Sequence, residues 1–180
     1  MQNESQNKYY IPAEDSIFLA DYLENQQGKS ALDIGTGSGI LAKVLSKNFD
    51  LVIATDVNIF ALRKAHGDIA NCICCNAADA LRNNFDLIVC NLPYLPSEDL
   101  VDVAVDGLDE GVKIPSIIIQ SASERIGKNG KLIFLTSSLA NYKFLIKLCQ
   151  SLGFDTKIIA KKKLFYEELL LVECTRNLDK

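Results

Sequence analysis

The sequence predicts an α/β fold: a mostly parallel seven-stranded sheet, covered by helices on both faces and finished by a C-terminal antiparallel hairpin. Three observations predict it. Short β-branched runs alternate with segments of helical spacing along most of the chain, the pattern of repeated βαβ units. A glycine-rich turn follows the first of those runs, at the strand end where open α/β sheets bind ligands. The last two apolar runs follow one another with almost no linker, so they pair as a hairpin.

Taken in order, the chain starts with "YYIPAEDSIFLADYL". Pro12, Glu14 and Asp15 suit the first turn of a helix, since proline loses no useful N–H there and acids favour the positive end of the dipole. Strands are predicted at "SALDIGT" (30–36), "LVIATDV" (51–57), "CICCNA" (72–77), "DLIVCN" (86–91) and "KLIFLTS" (131–137), each short and bounded by turn residues. Between them "GILAKVLSKN", "NIFALRKAHG" and "PSIIIQSASERIGKNG" (115–130) carry helical spacing with glycine near their ends. "ANYKFLIKLCQSLG" is an amphipathic helix ending at Gly153, and "FDTKIIAKKKLF" and "EELLLVECT" form the hairpin.

Composition narrows the function classes. The chain has 180 residues, 48% hydrophobic and 23% charged, with a net charge of -4. A protein that grips naked nucleic acid usually carries a basic face, so nucleic acid is disfavoured, and the run "AKKKLF" reads as a solvated hairpin end. "MQNESQNKYY" lacks the pattern of a signal peptide, and no apolar run reaches the ~18 residues that cross a bilayer. The expectation is a soluble, cytoplasmic protein without a membrane. Cys72, Cys74, Cys75, Cys90, Cys149 and Cys174 lie in apolar stretches and read as reduced, buried structural thiols. Cys72 and Cys75 form a C-x-x-C near His66, but no second ligand pair is in sight for zinc. No metal site is expected.

"ALDIGTGSGILA" sets Asp33, Gly35, Gly37 and Gly39 at the first strand's end. Glycine there lets the backbone turn sharply and approach a ligand. The dinucleotide fingerprint fails because Ile40 stands where a glycine is needed. A carboxylate two residues before the first glycine repels a pyrophosphate and attracts a cation, which favours S-adenosylmethionine. Asp56 ends the second strand, about 20 residues on, where an acid takes a ribose diol. Asp79 in "NAADAL" follows the third strand and is placed to accept from an adenine amine.

The fourth strand stops at Asn91-Leu92-Pro93-Tyr94. The Asn91 amide oxygen accepts from a target N–H, and the carbonyl before Pro93 takes a second. Tyr94 lies flat against a planar amide or base. Holding both hydrogens aims the nitrogen lone pair, which is catalysis by positioning.

These segments, with "LDIGTGSG", "TDVN", "NLPYLP", "DGLDEGVKIPSIIIQ" and "KKKLFYEELLLVE", resemble the HemK-like protein-glutamine N5-methyltransferases, in their short archaeal and eukaryotic branch. The resemblance spans nearly the whole chain. It implies a class I, Rossmann-like methyltransferase fold forming a single domain over 1–180, with residues 1–8 a flexible N-terminus. It also implies that no N-terminal helical substrate domain precedes the motifs. Its implied activity is S-adenosylmethionine-dependent methylation of the GGQ glutamine in a translation release factor. By carry-over, Tyr10, Pro12, Glu14, Asp15 and Ser16 match the segment closing over the cofactor. Asp33, Gly35, Gly37, Asp56, Val57, Asp79, Ala80 and Asn91 match cofactor-binding positions, and Asn91, Pro93 and Tyr94 the catalytic tip.

One departure is Leu92, where the family has proline; N-L-P-Y is typical of rRNA adenine dimethyltransferases. Leu92→Pro, which restores the family motif, is expected to be tolerated. An adenine-N6 methyltransferase acting on RNA or DNA is the alternative, and a non-catalytic scaffold or an enzyme for small amines stay open. The family's sheet order places the third strand at an edge, and residues 69–78 carry no charge. Such an edge invites a partner. The resemblance implies a small zinc-binding activator subunit; the uncharged edge places its docking along 69–77, where Ile73→Lys would break the complex if that side chain faces the partner.

Overall fold

The computed structural model describes residues 14–97, 102 and 105–176. Tyr10, Pro12 and the expected flexible stretch 1–8 lie outside them. In chain order the elements are α1 (Glu14–Leu23), β1 (Gly28–Ile34), α2 (Ile40–Leu45), β2 (Phe49–Asp56), α3 (Ile59–Ala65), β3 (Cys72–Cys74) and β4 (Phe85–Asn91). A 3-10 turn, Asp109–Gly111, then precedes α4 (Lys113–Ser123), β5 (Ile126–Ser137), α5 (Tyr142–Ser151), β6 (Phe154–Lys163) and β7 (Glu168–Arg176).

The strands form one seven-stranded sheet in the order β3-β2-β1-β4-β5-β7-β6. The first five run parallel, while β7 is antiparallel to both β5 and β6. Side chains alternate across the sheet because the strand period is two. Leu32, Ile34, Ile88, Cys90, Leu132 and Phe134 pack on one side with Ile119 of α4 and Leu145 of α5. Ala31, Leu87, Val89, Ile133 and Leu135 pack on the other with Leu19 of α1 and Leu41 of α2. The chain walks outward from β1 through β2 to β3, then returns to β4 on β1's other flank. A crevice therefore opens between the ends of β1 and β4, at the point where strand order reverses.

The stretch 115–130 is not one helix. α4 ends at Ser123, and β5 begins at Ile126. The β4–β5 register jumps from Phe85↔Ile126 to Leu87↔Lys131, so the intervening residues bulge. Gly130 sits where a Cβ would lie 2.4 Å from the Phe85 carbonyl oxygen. That glycine lets two strands approach; it does not stop a helix.

β3 does lie at an edge, but it is only three residues long, a common way of blunting an edge. Ile73 is half-buried against the α4–α5 core and Cys72 against the other. Ile73 is thus partly buried, packed on the edge of that core. The cysteines also divide: Cys90, Cys149 and Cys174 are buried, Cys72 and Cys75 half-buried, and Cys74 exposed. Among the described residues no group of three or more His, Cys, Asp or Glu is placed to hold a metal. Nor is any helix there long and apolar enough to cross a membrane.

Candidate functional site

The crevice is built from three strand ends and the start of α1. Asp33 shares the face of Ala31, so its side chain points under α2. Its Oδ2 accepts from Thr36 Oγ at 2.6 Å and from the Ala42 N–H at 3.1 Å. Its Oδ1 is buried with no partner. Burial, with a smaller contribution from the negative charge of Asp56, raises the Asp33 carboxyl to about 7, against the two hydrogen bonds that lower it. A carboxylate held in this way is poised to become an anion when a cation arrives beside it.

The glycine turn then passes over β2. Gly35 and Thr36 donate their N–H groups to the Thr55 carbonyl at 2.8 and 2.9 Å. Gly35 has φ +71, which glycine adopts without the strain an L side chain would feel, and a Cβ on it would meet nothing within 4 Å. The turn faces open space. Asp56, half-buried at the end of β2, accepts from Gly37 N–H at 2.9 Å and Asn58 N–H at 2.8 Å. The carboxylate expected only to meet a ligand also ties the two loops of the crevice together. Val57, next to it, is 51% exposed.

Asp79 lies beyond the end of β3, in an exposed turn with Ala80. Its Oδ1 accepts from Ser121 Oγ at 2.6 Å and its Oδ2 from Asn76 Nδ2 at 3.0 Å. Ser121, on α4, was missed by the sequence reading, as was Thr36. A lone hydroxyl, whether on a helix or in a turn, carries no pattern that marks it.

Asn91 ends β4 on the face turned to α1. Its Nδ2 donates to Asp15 Oδ2 and to Ser16 Oγ, both at 3.2 Å, and Tyr94 OH donates to the same Asp15 oxygen at 3.4 Å. Asp15 and Ser16 are 8% and 3% exposed. With both amide hydrogens taken, the Asn91 Oδ1 is left buried with no partner. α1 therefore fixes which way the amide points. Glu14, exposed, pairs instead with Lys162 of β6 at 3.3 Å. Tyr94 is half-buried against the α1–α2 core, so the ring is less exposed than the sequence suggests.

Leu92 is 1% exposed, and its N–H donates to the Leu135 carbonyl at 3.2 Å. A proline there would lose that bond and part of the core contact, so the expectation that Leu92→Pro is harmless does not hold in this chain. Pro93 and Tyr94 rest on the segment before α4. Leu108, Asp109 and Glu110 have φ of +54, +36 and +57, followed by Gly111 at +73. Three consecutive non-glycine residues at positive φ cost about 1–3 kcal/mol each. The strain is held by Val112 N–H to the Leu108 carbonyl at 3.0 Å and Asn141 N–H to the Glu110 carbonyl at 3.0 Å.

The buried Asp33 makes a stability prediction. Its folded-state pKa, about 7, lies above the ordinary 3.8, so the folded chain keeps a proton that the unfolded chain has lost. Its contribution is fully present below pH ~4 and is lost as pH rises through ~7, at up to about 1.4 kcal/mol per pH unit. The melting temperature of the ligand-free protein is expected to fall between pH 5 and pH 8. Asp33→Asn should flatten that slope in a pH series of thermal melts.

The family model of the methyltransferase small domain matches residues 14–166. A Methanocaldococcus jannaschii protein, provisionally named protein N5-glutamine methyltransferase, is 33% identical over 93% of this chain and 91% of its own length. The release factor glutamine methyltransferase of Bradyrhizobium diazoefficiens is 33% identical over 56% of this chain, which spans 41% of that relative. Among solved structures, the E. cuniculi Mtq2–Trm112 complex, responsible for methylation of the eRF1 translation termination factor, superposes with a TM-score of 0.82. The identity is 26%, over 94% of this chain and 99% of that one. That likeness runs over nearly the whole chain, and the chain belongs to the methyltransferase small domain family, on the branch of the protein N5-glutamine methyltransferases.

Proposed function

We propose that the chain, working as a single methyltransferase domain in the cytoplasm, transfers a methyl group from S-adenosylmethionine to the side-chain amide of a glutamine in a translation release factor. The observation that carries this reading is the Asn91 amide, whose hydrogens are taken by Asp15 and Ser16 and whose oxygen is left unpaired. An acceptor so fixed matches one N–H of a primary amide. The Leu92 carbonyl, its direction set by Pro93, matches the other. Tyr94 flanks the plane of the incoming group, and its hydroxyl bond to Asp15 keeps the ring and the asparagine in register. With both hydrogens held, the nitrogen's electron pair points along one line, and the proton lost after transfer leaves to water. No strong base is needed, because most of the rate comes from orientation.

The donor fits the crevice on its own chemistry. The open space before Gly35 and the unpaired Asp33 Oδ1 suit a group with positive charge and no phosphate, and the cofactor supplies a methyl group on a cationic sulfur. Asp56 would hold the ribose hydroxyls; Val57, Asp79 and Ala80 would flank the adenine; and Ser16, Gly37 and Asn91 would border the amino-acid end. Asp56→Ala is expected to weaken cofactor binding by about 1.5–3 kcal/mol, because ribose contacts and the Gly37–Asn58 tie go together. Titration calorimetry showing unchanged affinity would remove Asp56 from the site.

A partner completes the reading. A small zinc-binding subunit, as the resemblance implies, docks along residues 69–77 at the β3 edge. Exposed Val57, Ile59 and Phe60 (51%, 42% and 45%) extend that edge beside exposed Cys74. Phe60, rather than the half-buried Ile73, is the large side chain such a partner would meet. The reading as a whole is tested by offering labelled S-adenosylmethionine with a release factor and with total RNA in parallel. Label in the protein supports it, and label in the RNA alone replaces it with the adenine reading.

A further inference from the structure

The β6–β7 hairpin ends in an aromatic pair that nothing in the fold requires. Phe165 and Tyr166 are 89% and 86% exposed, far beyond the next large apolar residue among the described residues, Val57 at 51%. Tight turns favour Gly, Asn, Asp, Pro and Ser, none of which stands in "LFYE". The two rings meet edge to face with centroids 4.6 Å apart, so each holds the other in place. Leu164 N–H donates to the Glu167 carbonyl at 2.8 Å, closing the turn beneath them.

The position of this tip gives it a use. β7 is antiparallel to β5, and Ser137, at the C-terminal end of β5, pairs with Leu169. The tip therefore rises at the same end of the sheet as the crevice. Ser137 Oγ donates to Glu167, and Lys162 pairs with Glu14, the residue before Asp15, which orients Asn91. Asn91 pairs with Leu135 and Leu135 with Leu171. The tip is thus two strands across, about 10 Å, and about 13 Å further along the strand direction. An extended peptide covers that diagonal, roughly 16 Å, in about five residues.

We propose that Phe165 and Tyr166 are a docking knob for the protein substrate, gripping an apolar patch on the polypeptide about five residues or more from the methylated side chain. The proposal rests on the protein-amide reading above. Charge on the hairpin favours protein over nucleic acid: Lys161 is paired with Glu168 and Lys162 with Glu14. Among the described residues this leaves exposed Lys163 as the one lysine of the run without an ion pair, fewer cations than a grip on a phosphate backbone uses. Paired aromatics with a largely compensated rim have the composition of protein-interface anchors.

The test compares wild type with the double variant Phe165→Ser, Tyr166→Ser, whose side chains are solvent-exposed and should leave the melting temperature unchanged. Each is assayed on an intact release factor, on a peptide with two residues either side of the glutamine, and on total RNA, with cofactor affinity measured by calorimetry. The expected result is a KM for the intact factor raised about 10-fold or more, with kcat, peptide methylation and cofactor affinity unchanged. A KM within two-fold of wild type overturns the docking role, as does an equal loss on the short peptide. A loss confined to RNA methylation assigns the knob to nucleic acid and overturns it too. If wild-type protein methylates neither factor nor peptide, the amide reading itself fails, which the variant comparison alone cannot produce.

Discussion

Asn91→Ala is expected to lower methyl transfer by about 100-fold or more while cofactor affinity changes by no more than a few fold. The magnitude follows from the cost of losing near-attack orientation. The amide oxygen is the group that would hold the substrate nitrogen, and α1 leaves it nothing else to bond. Asn91→Asp should be no better, since it replaces the amide nitrogen with an oxygen 3.2 Å from Asp15 Oδ2 and turns that donated bond into repulsion. Single-turnover rates with saturating cofactor, beside calorimetric affinities, separate the two effects. Wild-type turnover in Asn91→Ala would show that the tip does not position the acceptor.

Gly111→Ala is expected to destabilise the protein by about 3 kcal/mol, roughly 10 °C in melting temperature, and to remove activity from whatever remains folded. A Cβ at this position would lie 2.2 Å from the Tyr94 carbonyl oxygen and 3.0 Å from Ala140 Cβ, at φ +73. Neither neighbour is a flexible side-chain end, so the Pro93-Tyr94 backbone has to move. Gly35→Ala makes the contrast. Its φ is nearly the same, but its Cβ meets open space, so the stability loss should be about 1–2 kcal/mol while cofactor binding suffers most. Thermal melts and calorimetry on both variants check the pair. Equal stability losses would mean that backbone conformation alone, and not contact with the catalytic tip, makes Gly111 necessary.

Sequence patterning carries the architecture because both cores obey the strand and helix periods. Leu32, Ile34, Ile88 and Cys90 face one layer and Ala31, Leu87 and Val89 the other, and turn residues bound each strand. The error at 115–130 has a physical source. Glycine marks a helix end when it sits in an αL cap, but Gly130 marks a bulge against the Phe85 carbonyl, and one sequence cannot tell the two apart. The same limit applies at the site. That Asp33, Asp56 and Asn91 stand at strand ends around one crevice follows from the strand pattern and sheet order. That Asp15 and Ser16 grip Asn91 across more than seventy residues of chain is a tertiary contact with no local signal. Gly107 and Gly111 are four apart in "DGLDEGV", a spacing that hints at close backbone approach, but the partner in that approach, Tyr94, emerges only from the packing. An uncharged edge strand likewise does not say which of its side chains turn inward, and Ile73 packs half-buried on the core.

The most direct test of the central claim is where the methyl group ends. A release factor incubated with the protein and S-adenosylmethionine, with and without a small zinc-binding subunit of the proposed kind, can be digested and its fragments sequenced by tandem mass spectrometry. The account predicts a single added methyl on the side-chain nitrogen of one glutamine, absent when Asn91→Ala replaces the wild type. A methyl on a carboxylate oxygen or a lysine, or an unmodified factor beside methylated adenine in RNA, would contradict it.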